Sequence, residues 1–470
     1  MIKMSFVTGK TCRILALLAA ALLSFYNAGR PDLANAQSYR QSASQSAPAG
    51  PQLMTLQEAV KTGVFNNPEY GKVANNRRAT DEELNQAEAL YLPSIDARAD
   101  AGVEYSDNPS TRVGNDDSET LGRYDVSLTL TQLLFDGWET YYENKRQEFR
   151  VTSAAHRVRE TSELVGLAVV RAYLDVMRRR ELLRIARQNV ADHVKILDQV
   201  QDSARAGRTT RADVAQVRAR LATARAQQAE VRQQLDNAEA DFILEVGVSP
   251  ADLQMPAIPR NKLSSNVQRE VETTLIQNPT LEIFEADVQV ANAEYKQSKS
   301  SFYPDFNLQM NARDGENLGG VDGDDTSASA LVVMNWNLYR GGSDVARSRE
   351  FINRAAEAKE ARAEAARGIE NDVRQTWAQM MASRDRVVQF ARQVQADQSV
   401  VRAYKDQFDL NRRTLLDVLD AQNELFVSKS NQVNSEFLEI FAVFRLIALR
   451  GELLPTLAVN YPAEANPDKI

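Results

Sequence analysis

Pro93-Ser94-Ile95-Asp96-Ala97-Arg98-Ala99-Asp100-Ala101-Gly102-Val103-Glu104-Tyr105 carries the pattern on which the fold turns. Its odd positions from Ile95 to Tyr105 are apolar, while Asp96, Arg98, Asp100 and Glu104 are charged. Successive side chains of a strand point to opposite faces, so this period of two predicts a strand lying between an apolar medium and water. Tyr124, Val126, Leu128 and Leu130 alternate in the same way with Arg123, Asp125, Ser127 and Thr129. Phe306, Leu308 and Met310 alternate with Asp305, Asn307 and Gln309; a fourth run, Ala330 to Leu338, keeps Val332, Met334 and Trp336 on one face. Each run is about ten residues, the length a tilted strand needs to cross a bilayer.

The segments joining the paired strands, Asp107 to Thr120 and Gly315 to Ser327, are rich in Gly, Asn, Asp, Ser and Thr and read as hairpin tips. Asp322-Gly323-Asp324-Asp325 suggests calcium but lacks the ligand spacing of a calcium loop, so a solvated loop is the simpler reading.

Outward from the strands the period changes. No proline occurs between Pro109 and Pro250 or between Pro304 and Pro455, and these stretches are rich in Ala, Arg, Glu, Gln and Leu. They predict helices such as one from about Trp138 to Arg205, on the order of 100 Å long. Such lengths suit rods and bundles, not a compact globule. Asp136 followed by Glu139 predicts a capping box at the start of the first long helix. Asn67-Pro68 and Asn278-Pro279 each place a capping residue before a proline at the first helical position, and Pro93 and Pro304 end the helices that follow.

The punctuation repeats. Asn67-Pro68 and Asn278-Pro279 stand 211 residues apart, as do Pro93 and Pro304. Beyond the hairpins the offset falls to 204, which aligns Phe135-Asp136-Gly137 with Tyr339-Arg340-Gly341 and Thr210 to Val214 with Thr414 to Val418. One unit is therefore used twice, with the first repeat over 37–262 (hairpin about 93–135), the second over 263–455 (hairpin about 304–339) and a C-terminal tail over 456–470. The four strands of one chain cannot close a barrel, and an open sheet edge cannot sit in lipid. Outer-membrane barrels begin at about eight strands, so membrane-bound strands force assembly, and three chains would supply twelve.

The N-terminus has the order of a secretory signal peptide over 1–36: Lys3, Lys10 and Arg13, then the uncharged run Ile14 to Leu23, then Ala34-Asn35-Ala36 for cleavage before Gln37. A retained anchor is the alternative, although the apolar run is too short to span a bilayer. Removing this segment takes four basic residues and one acid from the chain's 56 and 64, leaving a net charge of −11. That balance argues against nucleic acid as a partner. Cys12 departs with the signal, so the mature chain has no disulfide framework and no thiolate chemistry. His156 and His193 fall in mid-helix, far apart, and are expected at the surface; no metal, cofactor or catalytic constellation is read from the sequence, which has no phosphate loop, HExxH or GxSxG.

The order of elements, the duplication, Leu130-Thr131-Gln132-Leu133-Leu134-Phe135-Asp136-Gly137 and Arg412-Arg413-Thr414-Leu415-Leu416-Asp417-Val418-Leu419-Asp420-Ala421-Gln422 resemble the TolC family across roughly Leu53 to Leu454. The resemblance implies a mainly α protein with membrane β: a homotrimer whose four strands per protomer form a 12-stranded β-barrel in the outer membrane above a long α-helical barrel in the periplasm. It implies an equatorial belt, here including Gly247 to Ser265. As partners it implies a periplasmic adaptor (membrane fusion protein) and an inner-membrane ABC or proton-driven transporter, beside the lipid bilayer. It also implies that Asp417 and Asp420 form the pore constriction and that Arg413, Asp213 and Phe408 form a gating latch. Three residues apart, Asp417 and Asp420 share one helix face, so threefold symmetry would stack them as carboxylate rings. The alternative is a solvated first turn, where acids favour the helix N-terminus. The chain departs from the family where Phe408 replaces a usual tyrosine, Ala212 a small hydroxylated residue and Asn411 a turn glycine. Type I protein secretion is the favoured service and multidrug efflux the alternative. A soluble periplasmic coiled-coil structural or adaptor protein would account for the helices but not for the apolar strand faces.

Overall fold

A computed structural model describes residues 53–114, 118–410 and 412–467. The expected signal peptide and Asn411 lie outside the described residues. Among those residues the chain runs α1 (Leu56–Asn66), α2 (Pro68–Ala89), β1 (Ser94–Ser106), β2 (Glu119–Phe135), α3 (Glu139–Arg205) and α4 (Arg211–Val246). The same order returns as α5 (Val267–Gln277), α6 (Pro279–Gln297), β3 (Asp305–Glu316), β4 (Asp324–Asn335), α7 (Ser343–Asp409) and α8 (Leu415–Leu449), before a single-turn α9 (Leu453–Thr456). The helix starts follow local chemistry. Asn67 accepts from the Glu69 amide at 2.8 Å and Asn278 from the Leu281 amide at 3.1 Å, each just ahead of proline. The long helices α3 and α7 are 67 residues each, about 100 Å at the α-helical rise.

The start of α3 differs from the expected capping box. Gly137 and Trp138 both take left-handed backbone with φ of 68°, so the chain turns a corner and the helix begins two residues late. Asp136 then caps from farther out, accepting from the Thr140 amide at 2.7 Å. Glycine is required at this corner, since a Cβ on Gly137 would lie 2.8 Å from the carbonyl oxygen of Ser300. Trp138 packs edge-on against Phe135 and Tyr303, ring centres 5.1 and 5.3 Å apart, and fixes the strand-to-helix angle.

The strands form one antiparallel meander in the order β1-β2-β3-β4. Its register aligns Ile95, Leu130, Met310 and Ala330 in one row, and Ala97, Leu128, Ala312 and Ala328 in the next row on that face. The opposite face carries the rows Asp96, Thr129, Asn311, Ser329 and Arg98, Ser127, Arg313, Ser327. There Arg123 donates to Asp100 and Glu104, both at 2.7 Å, and Arg313 grips Asp125 at 2.8 and 2.7 Å. The apolar and polar rows are therefore continuous across all four strands, with the ion pairs joining β1, β2 and β3, while β1 and β4 each keep an outer edge without a partner in the sheet. The second hairpin is tighter than expected, because β3 runs on to Glu316 and β4 starts at Asp324, with Gly323 donating to the Asn317 side chain at 3.1 Å. The fourth strand ends at Asn335, so Trp336 and Leu338 belong to the turn into α7.

The main core lies where α1, α5 and α9 pack around α3, α4 and α8, through Val60, Val169, Tyr173, Phe242, Phe444, Ile447 and Leu454. The buried Tyr173 hydroxyl lies 2.8 Å from the Met54 carbonyl and 2.6 Å from that of Gln254, tying both segments to α3. The linker after α4 runs along this level, with a parallel bridge between Met54 and Leu253 and with Arg260 gripping the buried Glu439 of α8 at 2.8 and 2.5 Å. The tail is anchored by Glu163 of α3, which is 2% exposed. Its carboxyl accepts from the Leu453 and Leu454 amides at 2.9 and 3.1 Å and from the Tyr461 hydroxyl. Burial outweighs these bonds and pushes the carboxyl up to about 7.

Neither histidine is at the open surface expected of it. His193 is buried with Nδ1 2.8 Å from the Asn189 carbonyl, and His156 is half-buried with Nδ1 3.1 Å from Glu282. The reason is packing density around α3: α1, α2, α4, α6 and α8 all lie against it, so even its polar positions are covered. By contrast α7 leaves Val345, Ile352, Met381, Val388 and Val400 exposed. Among the described residues no helix is long and apolar enough to cross a membrane.

Candidate functional site

The predicted site residues gather where the long helices reverse, far along the helices from the sheet. Both reversals close in the same way. The Arg208 amide donates to the Ser203 carbonyl and the Arg412 amide to the Gln407 carbonyl, each at 2.8 Å, and Gly207 takes φ of 71° in the first. Both return helices then open on a capping box: Thr210 with Asp213 for α4 and Thr414 with Asp417 for α8. Asp213 accepts from the Thr210 amide and hydroxyl, both at 2.8 Å. Asp417 accepts from the Thr414 hydroxyl at 2.7 Å, and this bond, ahead of the Thr414 amide and the Arg413 charge, holds its carboxyl below the usual range.

Arg413 is built into its own reversal. Its guanidinium lies 4.1 Å from the ring centre of Tyr404, its Nε donates to Gln407 at 3.3 Å, and Nη1 stands 3.8 Å from Asp417. Among the described residues of the protomer it makes no ion pair with Asp213. Phe408 packs with Tyr404 against Ile196, Val200, Val217, Leu415, Val418 and Leu419, an apolar cluster that joins α3, α4, α7 and α8 at this end. Asp420 is bound across the two halves, with Arg220 Nη2 2.9 Å from its Oδ1. One turn from the apolar seam, Gln422 donates to Asp192 at 2.9 Å and ties α8 to α3.

Two members of this constellation escaped the sequence reading. Tyr404 sits one helical turn before Phe408 on the same face and nine residues before Arg413, so only the folded reversal brings ring and guanidinium together. Arg220 is 200 residues from Asp420 and carries no motif of its own. Asp417 and Asp420 do share a face, but their chemistry differs: one is held by its own helix start, the other by a cation from the opposite half. Among the described residues no group of three or more His, Cys, Asp or Glu side chains is placed to hold a metal.

A four-stranded sheet with one apolar and one charged face, open at both edges and carried on two long helical hairpins, defines the protomer of a TolC-like outer-membrane duct. A family model described as outer membrane efflux protein matches residues 64–247 and 271–451, one match to each repeat, and the chain belongs to that family. It is 26% identical over 400 residues to the outer membrane efflux protein BepC of Brucella suis biovar 1, covering 85% of this chain and 86% of that one. To the alkaline protease secretion protein AprF of Pseudomonas aeruginosa it is 22% identical over 419 residues, covering 86% of each. Among solved structures, the CmeC outer membrane channel of Campylobacter jejuni superposes with a TM-score of 0.75 at 14% identity, covering 85% of this chain and 86% of that one. Channels of this family are trimeric, lie in the outer membrane and extend into the periplasm.

Proposed function

We propose that this protein is the outer-membrane exit duct of a type I protein secretion system, taking its substrate from an inner-membrane transporter through a periplasmic adaptor. It acts as a conduit and not as an enzyme. The observation that carries the duct is the sheet: apolar and polar rows run across all four strands, and both outer edges await strands from other copies. Its charged face suits a water-filled lumen, and its apolar face suits lipid. The name of the relative AprF supports protein secretion; that of BepC supports efflux, which is the second reading. Crosslinking in cells followed by copurification separates them. An ABC exporter with its adaptor is the expected catch, and a proton-driven pump would replace the secretion reading by efflux.

In this reading Asp417 and Asp420 narrow the periplasmic end, and Arg413, Phe408 and Asp213 hold it. Arg413 would pair with Asp213 of the other half by exchanging its present contacts to Tyr404 and Asp417. Arg413→Ala should raise the conductance of the resting channel in planar bilayers, and adding Asp213→Ala should raise it little further, because residues that act as one unit are not additive. Strict additivity of the two changes would remove Asp213 from the latch.

A further inference from the structure

We infer that Arg220 belongs to the periplasmic constriction, where it masks the charge of Asp420 for as long as the two return helices, α4 and α8, stay together. The inference rests on the reading of Asp417 and Asp420 as the narrow point of the duct. Three observations lead to it. The first is the pair itself, Nη2 to Oδ1 at 2.9 Å, which joins the two repeats. The second is its place beside the apolar seam of this end. Val217, one turn before Arg220, is buried with Leu415, Val418 and Leu419, so the register that seats the seam also seats the ion pair. The third is the contrast with Asp417, whose carboxylate is satisfied inside its own capping box and keeps those bonds whatever α4 does.

The pair is half-exposed on both sides, with side-chain accessibilities of 41% and 56%. Exposed ion pairs add little stability, so this contact is not a lock. Its effect is on the field: a cation 2.9 Å from the carboxylate cancels most of its charge as seen by a passing ion. When α4 and α8 separate, the seam opens, the pair breaks, and three carboxylates per trimer join the ring formed by Asp417. Opening and cation attraction are then coupled through one residue. The narrow end then presents the Asp417 carboxylates alone when shut and those of both acids when open, and Asp420 alone among the two acids reports the separation of the repeats.

The test is ion selectivity of the mature trimer in planar bilayers, read as the potassium-to-chloride permeability ratio from the reversal potential in a salt gradient. Arg220→Gln, which removes the charge and leaves a shorter polar side chain in its place, should raise the ratio at least about twofold in the resting channel. Asp420→Asn should lower it by exposing Arg220, and the double variant should return close to the parent. The exchange Arg220→Asp with Asp420→Arg should also restore the parent value, which guards against a variant that merely disturbs assembly. In the parent, events of larger conductance should show a higher ratio than small ones, and Arg220→Gln should abolish that difference. An unchanged or lowered ratio in Arg220→Gln, with Asp417→Asn and Asp420→Asn still shifting it, would overturn the masking and leave the constriction standing. If neither Asp417→Asn nor Asp420→Asn shifts the ratio, the constriction itself lies elsewhere and the role of Arg220 falls with it.

Discussion

Glu163 shows how a single buried carboxyl ties stability to pH. In an unfolded chain it titrates near its ordinary value of 4.5, whereas burial in the fold raises it to about 7. Below pH 4.5 both states hold the proton and the anchor is at its strongest. Between those values the unfolded chain releases its proton while the fold retains it, so stability falls as pH rises and levels off above about 7. The shift corresponds to roughly 3 kcal/mol across that window. Glu163→Gln removes the charge and keeps one acceptor oxygen, enough for one of the two amides, so it carries a fixed loss at every pH but no longer titrates. Thermal unfolding of the detergent-solubilised protein should therefore show the variant gaining on the parent as pH rises from 4.5 to 8. An equal difference at both pH values would mean that the carboxyl is not buried with its proton.

At the scale of the element, what recurs is the threonine–aspartate box that opens α4 and α8. Each box satisfies amides that the helix start leaves without partners, and its loss typically costs about 1 kcal/mol. Thr414→Ala should leave the first turn of α8 opening about fivefold more often, measured as faster hydrogen exchange at the Leu416, Asp417 and Val418 amides. The distant Tyr173 region, closed by its own core, should exchange as before. The same change should let the Asp417 carboxyl rise toward its ordinary value, since the Thr414 hydroxyl is the largest cause of its depression. The box is thus a structural need of the return helix and, in the reading given above, the mount of a pore-lining charge.

For the whole molecule the deciding quantity is the state of the sheet's two faces and two edges. Leu128 lies in the middle of an apolar row with Ala97, Ala312 and Ala328, while its neighbour Ser127 lies in the charged row. An arginine at mid-membrane on the lipid face of a barrel costs about 2–4 kcal/mol, and far less on the lumen side. Leu128→Arg should accordingly reduce the fraction of folded trimer recovered in detergent, and Thr129→Arg, on the polar face between Asp96 and Asn311, should not. Light scattering on the parent should give a trimer, as its family leads one to expect. A stable lipid-inserted monomer would contradict the open edges of β1 and β4, which have no other way to satisfy their backbone groups in a bilayer.

The element order, the helix starts at Pro68 and Pro279, the two-faced strands and the duplication are written in local patterns: periods of two or 3.6, prolines, and caps within three residues. Such patterns are legible without a fold because the physical interactions that produce them span only a few residues. The need for assembly was legible too, since four strands leave edges however they are arranged. The site was legible only in part. Asp417 and Asp420 announce a shared face by their spacing, but whether each is free, capped or paired depends on contacts across the reversal. Tertiary packing alone set Arg413 over Tyr404, joined Asp420 to Arg220, buried His193 and enclosed Glu163 with a tail 290 residues farther on. The corner at Gly137 and Trp138 also belongs to that group, because a tryptophan takes left-handed backbone only where neighbours such as Phe135 and Tyr303 hold it there. Local chemistry determined which elements this chain forms and capped Asp417 with Thr414; the partner of Asp420 was decided by which distant side chain the folded helices bring within 3 Å of it.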